Sequence, residues 1–196
     1  MTTEPDETVL QTFRAAQERQ LAKIREVSEI DALIAFLALA HWIDQAARHF
    51  SPSGNGEARW RAFLGAFFPS RYHTASAVKL LYDGLRNKLS HEFGTQDILL
   101  TEDEPENHWT VYGGLRVVHL PTLLTECEVA WQSFSAAIDA DPALRTRVVG
   151  RAPGIVQPVR IETIGGAIAA SASAANADLE AMGWSWPPRD TEFPPD

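Results

Sequence analysis

Apolar residues recur at intervals of three and four through most of the first 140 positions, and this period restricts the fold more than any other feature of the sequence. It is the spacing of an amphipathic α-helix, whose apolar stripe must be buried against other elements. The predicted fold class is therefore mainly α, a helical bundle. Five helices are predicted, over about residues 7–27, 28–50, 57–68, 75–91 and 121–140.

The helical period is interrupted between residues 94 and 120. Two short apolar runs, at 98–100 and 109–112, resemble strands on either side of an acidic turn. Gly113 and Gly114 then precede a third run at 115–120, as expected of a tight connection between strands. The pattern favours a small β-hairpin or a three-stranded insert within the helical chain.

The amino-acid composition changes again near residue 150. The remainder is rich in Ala, Gly and Ser and ends in a proline-rich stretch, which offers little apolar surface to bury. We therefore predict a helical domain over residues 1–150. A low-complexity C-terminal extension over residues 151–196, partly disordered or helical, follows it and ends as a flexible tail.

Several classes of protein are disfavoured by composition. The chain of 196 residues is long enough to bury a core without disulfide bonds or structural metal ions. Its single cysteine, Cys127, cannot form an internal disulfide. The best membrane candidate, residues 32–43, would rise only about 18 Å as a helix, well short of a bilayer core. The first residues lack the basic start and apolar run of a secretory signal. We expect a cytoplasmic protein that is not associated with membranes.

Neither a metal nor a cofactor is expected. No glycine-rich phosphate loop is present, since Gly165 and Gly166 lack a following Lys-Ser/Thr pair. His41 and Asp44 lie one turn apart on the second predicted helix, where they could support a nearby site. Five histidines show no metal-ligand spacing, and a structural or surface role is the simpler interpretation of each: His41, His49, His73, His108 and His119.

The charge of the chain is unevenly distributed. A net charge of −9 argues against a polyanionic partner, but residues 59–91 hold six basic residues and one acidic residue. A solvated helical face explains such a run about as well as a phosphate-binding surface does. On the second interpretation, Arg71, Lys79 and Lys88 are the candidate substrate-binding cations.

The fourth predicted helix carries two faces. One is an ordinary core stripe, and the other begins small and apolar and ends polar. A glycine in a helix costs about 1 kcal/mol relative to alanine, and close approach of another backbone would compensate for it. This face would suit a dimer interface through Ala77, Leu80 and Gly84, or equally a helix enclosed within the monomer. Its members are Ala77, Leu80, Gly84, Asn87 and His91.

The polar end of this helix places an arginine, an amide and an imidazole close in sequence, in the order Arg86, Asn87 and His91. On a regular helix Asn87 and His91 are neighbours, whereas Arg86 projects about 140° from His91. Such a trio suits RNA cleavage by the 2′-hydroxyl, a reaction that needs no metal. His91 can move the proton, Arg86 can stabilise charge on the phosphate, and Asn87 can orient either group.

The stretch from Arg86 through Asn87 to His91 resembles the signature of the HEPN superfamily (higher eukaryotes and prokaryotes nucleotide-binding domain), an arginine, a polar residue and a histidine after a short spacing. The resemblance covers about residues 30–140. It implies an all-α bundle and a homodimer in which the two motif helices face each other.

Many members of the superfamily are metal-independent endoribonucleases of toxin–antitoxin and other defence systems. The resemblance therefore implies that Arg86 and His91 are catalytic, that Asn87 supports them and that RNA is the substrate. An antitoxin or another protein encoded in the same operon is a further expected partner. The alternative is a non-catalytic HEPN-like module that binds nucleotides, RNA or a protein, and the acidic residues of the insert favour it modestly.

Overall fold

The computed structural model describes residues 4–51, 54–89 and 97–152, all within one compact unit, Met1–Val156. Apart from its first two residues, the predicted extension over 151–196 lies outside the described residues, as does its predicted flexible tail. The mainly α class with a small three-stranded sheet is confirmed. The described α-helices are α1 (Glu4–Ser28), α2 (Ala32–Phe50), α3 (Gly56–Phe67), α4 (Ala75–Leu81), α5 (Leu120–Ala140) and α6 (Pro142–Arg151).

The first two helices form a hairpin, and the second begins later than the predicted residue 28. Ser28 is the last residue of α1, and its hydroxyl donates to the Arg25 carbonyl over 2.7 Å. Asp31 caps α2, accepting the Ile34 amide over 3.0 Å. The helix starts after Asp31 because Asp is a favoured N-cap residue.

An aromatic cluster forms the centre of the helical core. Phe63 of α3 is fully buried and lies 5.5 Å, between ring centroids, from Phe134 of α5. It also contacts Trp42 of α2 edge-on, with the centroids 6.2 Å apart. Since aromatic rings at these separations bury large areas and attract one another, the cluster holds α2, α3 and α5 together.

The insert is a three-stranded mixed sheet with strand order β1-β3-β2. Its strands are β1 (Ile98–Thr101), β2 (Val111–Tyr112) and β3 (Leu115–His119), with β1 parallel and β2 antiparallel to β3. Gly113 and Gly114 connect β2 to β3 with φ of +57° and +86°, the left-handed conformation that a tight hairpin turn requires. The predicted hairpin is therefore β2–β3.

The last helix in the described part of the chain, α6, was not predicted, because scattered Gly and Pro follow residue 145. The signal that could have found it is Asp141 followed by Pro142, a favoured N-cap residue and a favoured first helical residue. The Asp141 carboxylate accepts the amides of Ala143 and Leu144 at 2.8 and 3.2 Å. The helix packs through Leu144 and Val148, which are both buried.

Candidate functional site

The motif helix is not a regular α-helix over residues 75–91, as was predicted. Helix α4 ends at Leu81 and continues as a π-helical segment, Tyr82–Lys88, whose widened turn is closed by the Leu89 amide donating to the Gly84 carbonyl. Short π-helical segments inside α-helices are frequent at functional sites. Residues 90–96, and with them the predicted catalytic His91, lie outside the described residues.

The widened turn changes the geometry expected for Arg86. The predicted angle between Arg86 and His91 assumed 100° per residue throughout, whereas a π-helix pairs each residue with the one five positions away. The regular-helix angle therefore does not apply across Tyr82–Lys88. Because His91 lies outside the described residues, the relation between its side chain and that of Arg86 stays a prediction.

Arg86 and Asn87 lie half-buried on the π-helical segment. Asn87 Nδ2 donates to Asp83 Oδ1 over 3.2 Å, so the Asn87 side chain is held by a carboxylate four residues earlier on the same helix. Within the described ranges, Arg86 has neither a hydrogen-bond nor an ion-pair partner. A half-buried guanidinium without a carboxylate at hand retains its capacity to bind an anion.

Two of the three predicted substrate-binding cations are paired with carboxylates of the same chain. Lys79 forms an ion pair with Asp83, which lies four residues further along the helix. Arg71 forms an ion pair with Glu126 of α5. The third, Lys88, is half-buried at the end of the π-helical segment. These contacts reduce the positive charge that Lys79 and Arg71 present to a phosphate.

The second helix lies against the π-helical segment and brings His41 into the electrostatic range of Arg86. His41 is half-buried. Burial lowers the pKa of His41 from its usual 6.5; Asp44 opposes this shift, and Arg48 and Arg86 reinforce it. The nearly buried Asp44 forms an ion pair with Arg48 at 2.9 Å and accepts the indole N–H of Trp60 at 3.2 Å. The site therefore contains an imidazole whose neutral form is favoured by burial and by two guanidiniums within electrostatic range.

Part of the small apolar face that was predicted to meet a second helix contacts other residues of the same chain. A Cβ built on Gly84 would lie 2.3 Å from Ile98 Cδ1 of β1, so the close approach that the glycine permits is made by the sheet. For Gly84 the structure thus shows a close approach within the chain. Ala77 is buried and Leu80 is half-buried against the core. A dimer interface at Ala77, Leu80 and Gly84 stays a prediction.

The contact between Gly84 and Ile98 has a measurable consequence. Gly84→Ala is expected to destabilise the fold by about 1–2 kcal/mol, because overpacking exceeds the helix propensity gained. In an Ile98→Ala background, which removes both Cδ1 and Cγ1, the atoms 2.3 and 2.9 Å from the built Cβ, most of this cost should disappear. Urea denaturation of the unchanged protein, the two single variants and the double variant measures the coupling. If Gly84→Ala stabilised the otherwise unchanged protein, the steric argument would be wrong.

A second polar cluster, which the sequence did not indicate, joins the sheet insert to α5. The Tyr72 hydroxyl donates to Glu126 Oε2 over 2.5 Å and lies 2.7 Å from His108 Nε2. His108 Nδ1 accepts the His119 amide over 3.0 Å, so the proton of a neutral His108 resides on Nε2 and points to Tyr72. Burial raises the pKa of Tyr72 to about 12, although Arg71 acts in the opposite direction. Because of this raised pKa, the Tyr72 hydroxyl stays protonated and acts as a donor.

This cluster is internally satisfied and closed to solvent. Tyr72 is fully buried, and the His108 side chain is 4% exposed. Because its members are separated by up to 54 positions, no local spacing could have identified them. We assign the cluster to docking of the insert rather than to catalysis.

No group of three or more His, Cys, Asp or Glu side chains in the described part of the chain is arranged to hold a metal ion. Among the same residues, no helix is both long and apolar enough to span a membrane. Comparison with protein-family models, with curated proteins and with solved structures finds no match to this chain.

Proposed function

We propose that the protein is a metal-independent endoribonuclease of HEPN type that acts in a toxin–antitoxin, defence or stress setting. Arg86, Asn87 and His91 form its site, and a homodimer is its expected assembly. The observation that carries the proposal is the half-buried Arg86, which lies on a widened helical turn without a carboxylate partner among the described residues. A half-buried cation with no carboxylate partner in the described part of the chain suits an anionic substrate.

The reaction needs one proton acceptor, one proton donor and one cation. The ribose 2′-oxygen loses its proton and bonds to the adjacent phosphorus while the bond from phosphorus to the 5′-oxygen breaks. The leaving oxygen takes up a proton, and the products carry a 2′,3′-cyclic phosphate and a 5′-hydroxyl. Arg86 would stabilise the additional negative charge on the phosphoryl oxygens, a role typically worth about 10²–10³ in rate.

The test is incubation of the purified protein with total RNA in EDTA. Cleavage is expected for the unchanged protein, together with a loss of about 10²-fold or more in Arg86→Ala and in His91→Ala. Arg19→Ala, on the exposed surface of α1, and His73→Ala, an exposed histidine, serve as matched controls and should cleave normally. Cleavage that survives substitution of Arg86 or His91 would show that this site is not the catalytic one.

The second candidate function is a non-catalytic HEPN-like module that binds nucleotides, RNA or a protein. The pairing of Lys79 with Asp83 and of Arg71 with Glu126 favours it, because paired cations contribute less to phosphate binding. Under this alternative the protein would leave total RNA intact at every pH. A labelled RNA or nucleotide would then still be retained by the unchanged protein and released by Arg86→Ala.

A further inference from the structure

The helix that packs against the π-helical segment carries an imidazole near Arg86. His41 of α2 lies within the electrostatic range of Arg86, although 45 positions separate them in sequence. His41 is half-buried rather than fully enclosed. This arrangement depends on the packing of α2 against Tyr82–Lys88 and not on a partner subunit.

The packing between these two elements is fixed by a polar and an aromatic contact. Asp44, one turn beyond His41, accepts the indole N–H of Trp60 at 3.2 Å. The Trp60 ring in turn packs edge-on against Tyr82, at the start of the π-helical segment, with the centroids 5.6 Å apart. The two contacts make a continuous connection from α2 through α3 to the segment that carries Arg86.

The hydrogen bond of His41 determines which nitrogen can accept a proton. Gln45 Nε2 lies 3.3 Å from His41 Nε2, and because an amide nitrogen only donates, the lone pair must be on His41 Nε2. This contact is longer than a strong hydrogen bond, so a substrate hydroxyl can replace the amide at the same atom. Gln45 thus selects the tautomer in which Nε2 is the basic nitrogen.

The charges around His41 keep this nitrogen unprotonated. Burial, Arg48 and Arg86 lower the pKa of His41, and Asp44 is the opposing charge. Asp44 is itself paired with Arg48, which limits its ability to attract a proton to the imidazole. A neutral imidazole within the electrostatic range of two guanidiniums is suited to take a proton from a hydroxyl beside a bound phosphate.

We propose that His41 accepts the proton of the attacking 2′-hydroxyl, an inference that rests on the nuclease function proposed above. As the bond from O2′ to phosphorus forms, the proton passes from O2′ to His41 Nε2. The bond from phosphorus to O5′ breaks, and O5′ takes up a proton from solvent. Arg86 binds the phosphoryl oxygens throughout, and Gln45 is a positioning residue for His41.

The pH dependence of RNA cleavage tests this assignment. For the unchanged protein in EDTA, kcat/KM measured with a fluorogenic RNA of mixed sequence should rise with pH across an acidic limb whose apparent pKa lies below 6.5. His41→Gln should reduce kcat/KM by about 10²-fold at pH 7 and remove that limb. His73→Gln is the matched control and should keep both the rate and the profile.

A second variant distinguishes loss of the proton acceptor from loss of folding. His41→Gly should be restored at least about tenfold by added imidazole, which supplies the missing base, and circular dichroism should show native helix content. The inference is overturned if the unchanged protein cleaves RNA while His41→Gln retains its rate and its acidic limb. It is also overturned if folded His41→Gly gains nothing from imidazole. Absence of cleavage by the unchanged protein would overturn the nuclease function itself, and this inference with it.

Discussion

Phe63→Ala is expected to lower the free energy of unfolding by about 3–5 kcal/mol, the range found when a large aromatic side chain is removed from a well-packed core. Phe63 is fully buried, and its ring contacts aromatic residues of α2, of α5 and of the C-terminal end of its own helix. Each contact is lost together with the buried area, and the surrounding rings are too rigid to fill the space. The ring contacts are with Trp42, Phe50, Phe67, Phe68 and Phe134.

Urea denaturation at pH 7 measures this effect, provided that the denaturant slope is unchanged. Phe63→Leu keeps most of the volume and should cost less than half as much. Val129→Ala, at a residue that is 53% exposed on α5, is the control and should change stability by at most about 0.5 kcal/mol. A loss below about 1.5 kcal/mol for Phe63→Ala would mean that the aromatic cluster does not organise the core as described.

Acidification is expected to destabilise the fold through His108. Burial lowers the pKa of His108 from 6.5 to about 4, and the nearby charges of Arg71 and His119 act in the same direction. Glu126 Oε2 lies 3.6 Å from His108 Nε2, but this carboxylate is already paired with Arg71 and cannot offset the desolvation. Protonation of His108 would also remove the acceptor of the His119 amide.

The sign follows from the direction of the shift. Because the folded-state pKa lies below that of the unfolded chain, the unfolded chain binds the extra proton first. The stabilisation by neutral His108 is complete above pH 6.5 and is lost as the pH falls towards 4. Over this interval the loss amounts to about 2–3 kcal/mol, at about 1.4 kcal/mol for each pKa unit.

The free energy of unfolding, measured between pH 7 and pH 4 by urea denaturation, checks this prediction. His108→Gln should be less stable than the unchanged protein at pH 7 and should lose about 2 kcal/mol less on acidification. His73→Gln, at an exposed position outside the cluster, should retain the original loss. Equal losses in the unchanged protein and in His108→Gln would mean that another group controls the acid response.

The helices were predictable because each carries its own periodic signal. The apolar stripe of α5 and the proline near its start place that helix within a residue of its observed bounds. The strands β2 and β3 were predictable for a similar reason, since Gly113 and Gly114 encode their turn. The parallel pairing of β1 with β3 depends on contacts across the chain and has no local signature.

The candidate site was predictable only in part. Arg86 and Asn87 were identified from residue type and spacing, and these are properties of the sequence. The widened turn beneath them was not predicted, because it accompanies the packing of Ile98 against Gly84, a contact between distant elements. The pairing of Arg71 with Glu126 was missed for the same reason, since counting charges along the sequence does not show which are neutralised in space.

The arginines of α6 have a consequence for how this chain can be shortened. Arg147 donates to the Phe50 carbonyl, and Arg151 donates to the carbonyls of Arg48 and Ser51, at the C-terminal end of α2. A truncation that stopped after α5 would strip these donors from the helix that carries His41 and would fray its last turn. Any minimal version of the protein must therefore extend through Arg151.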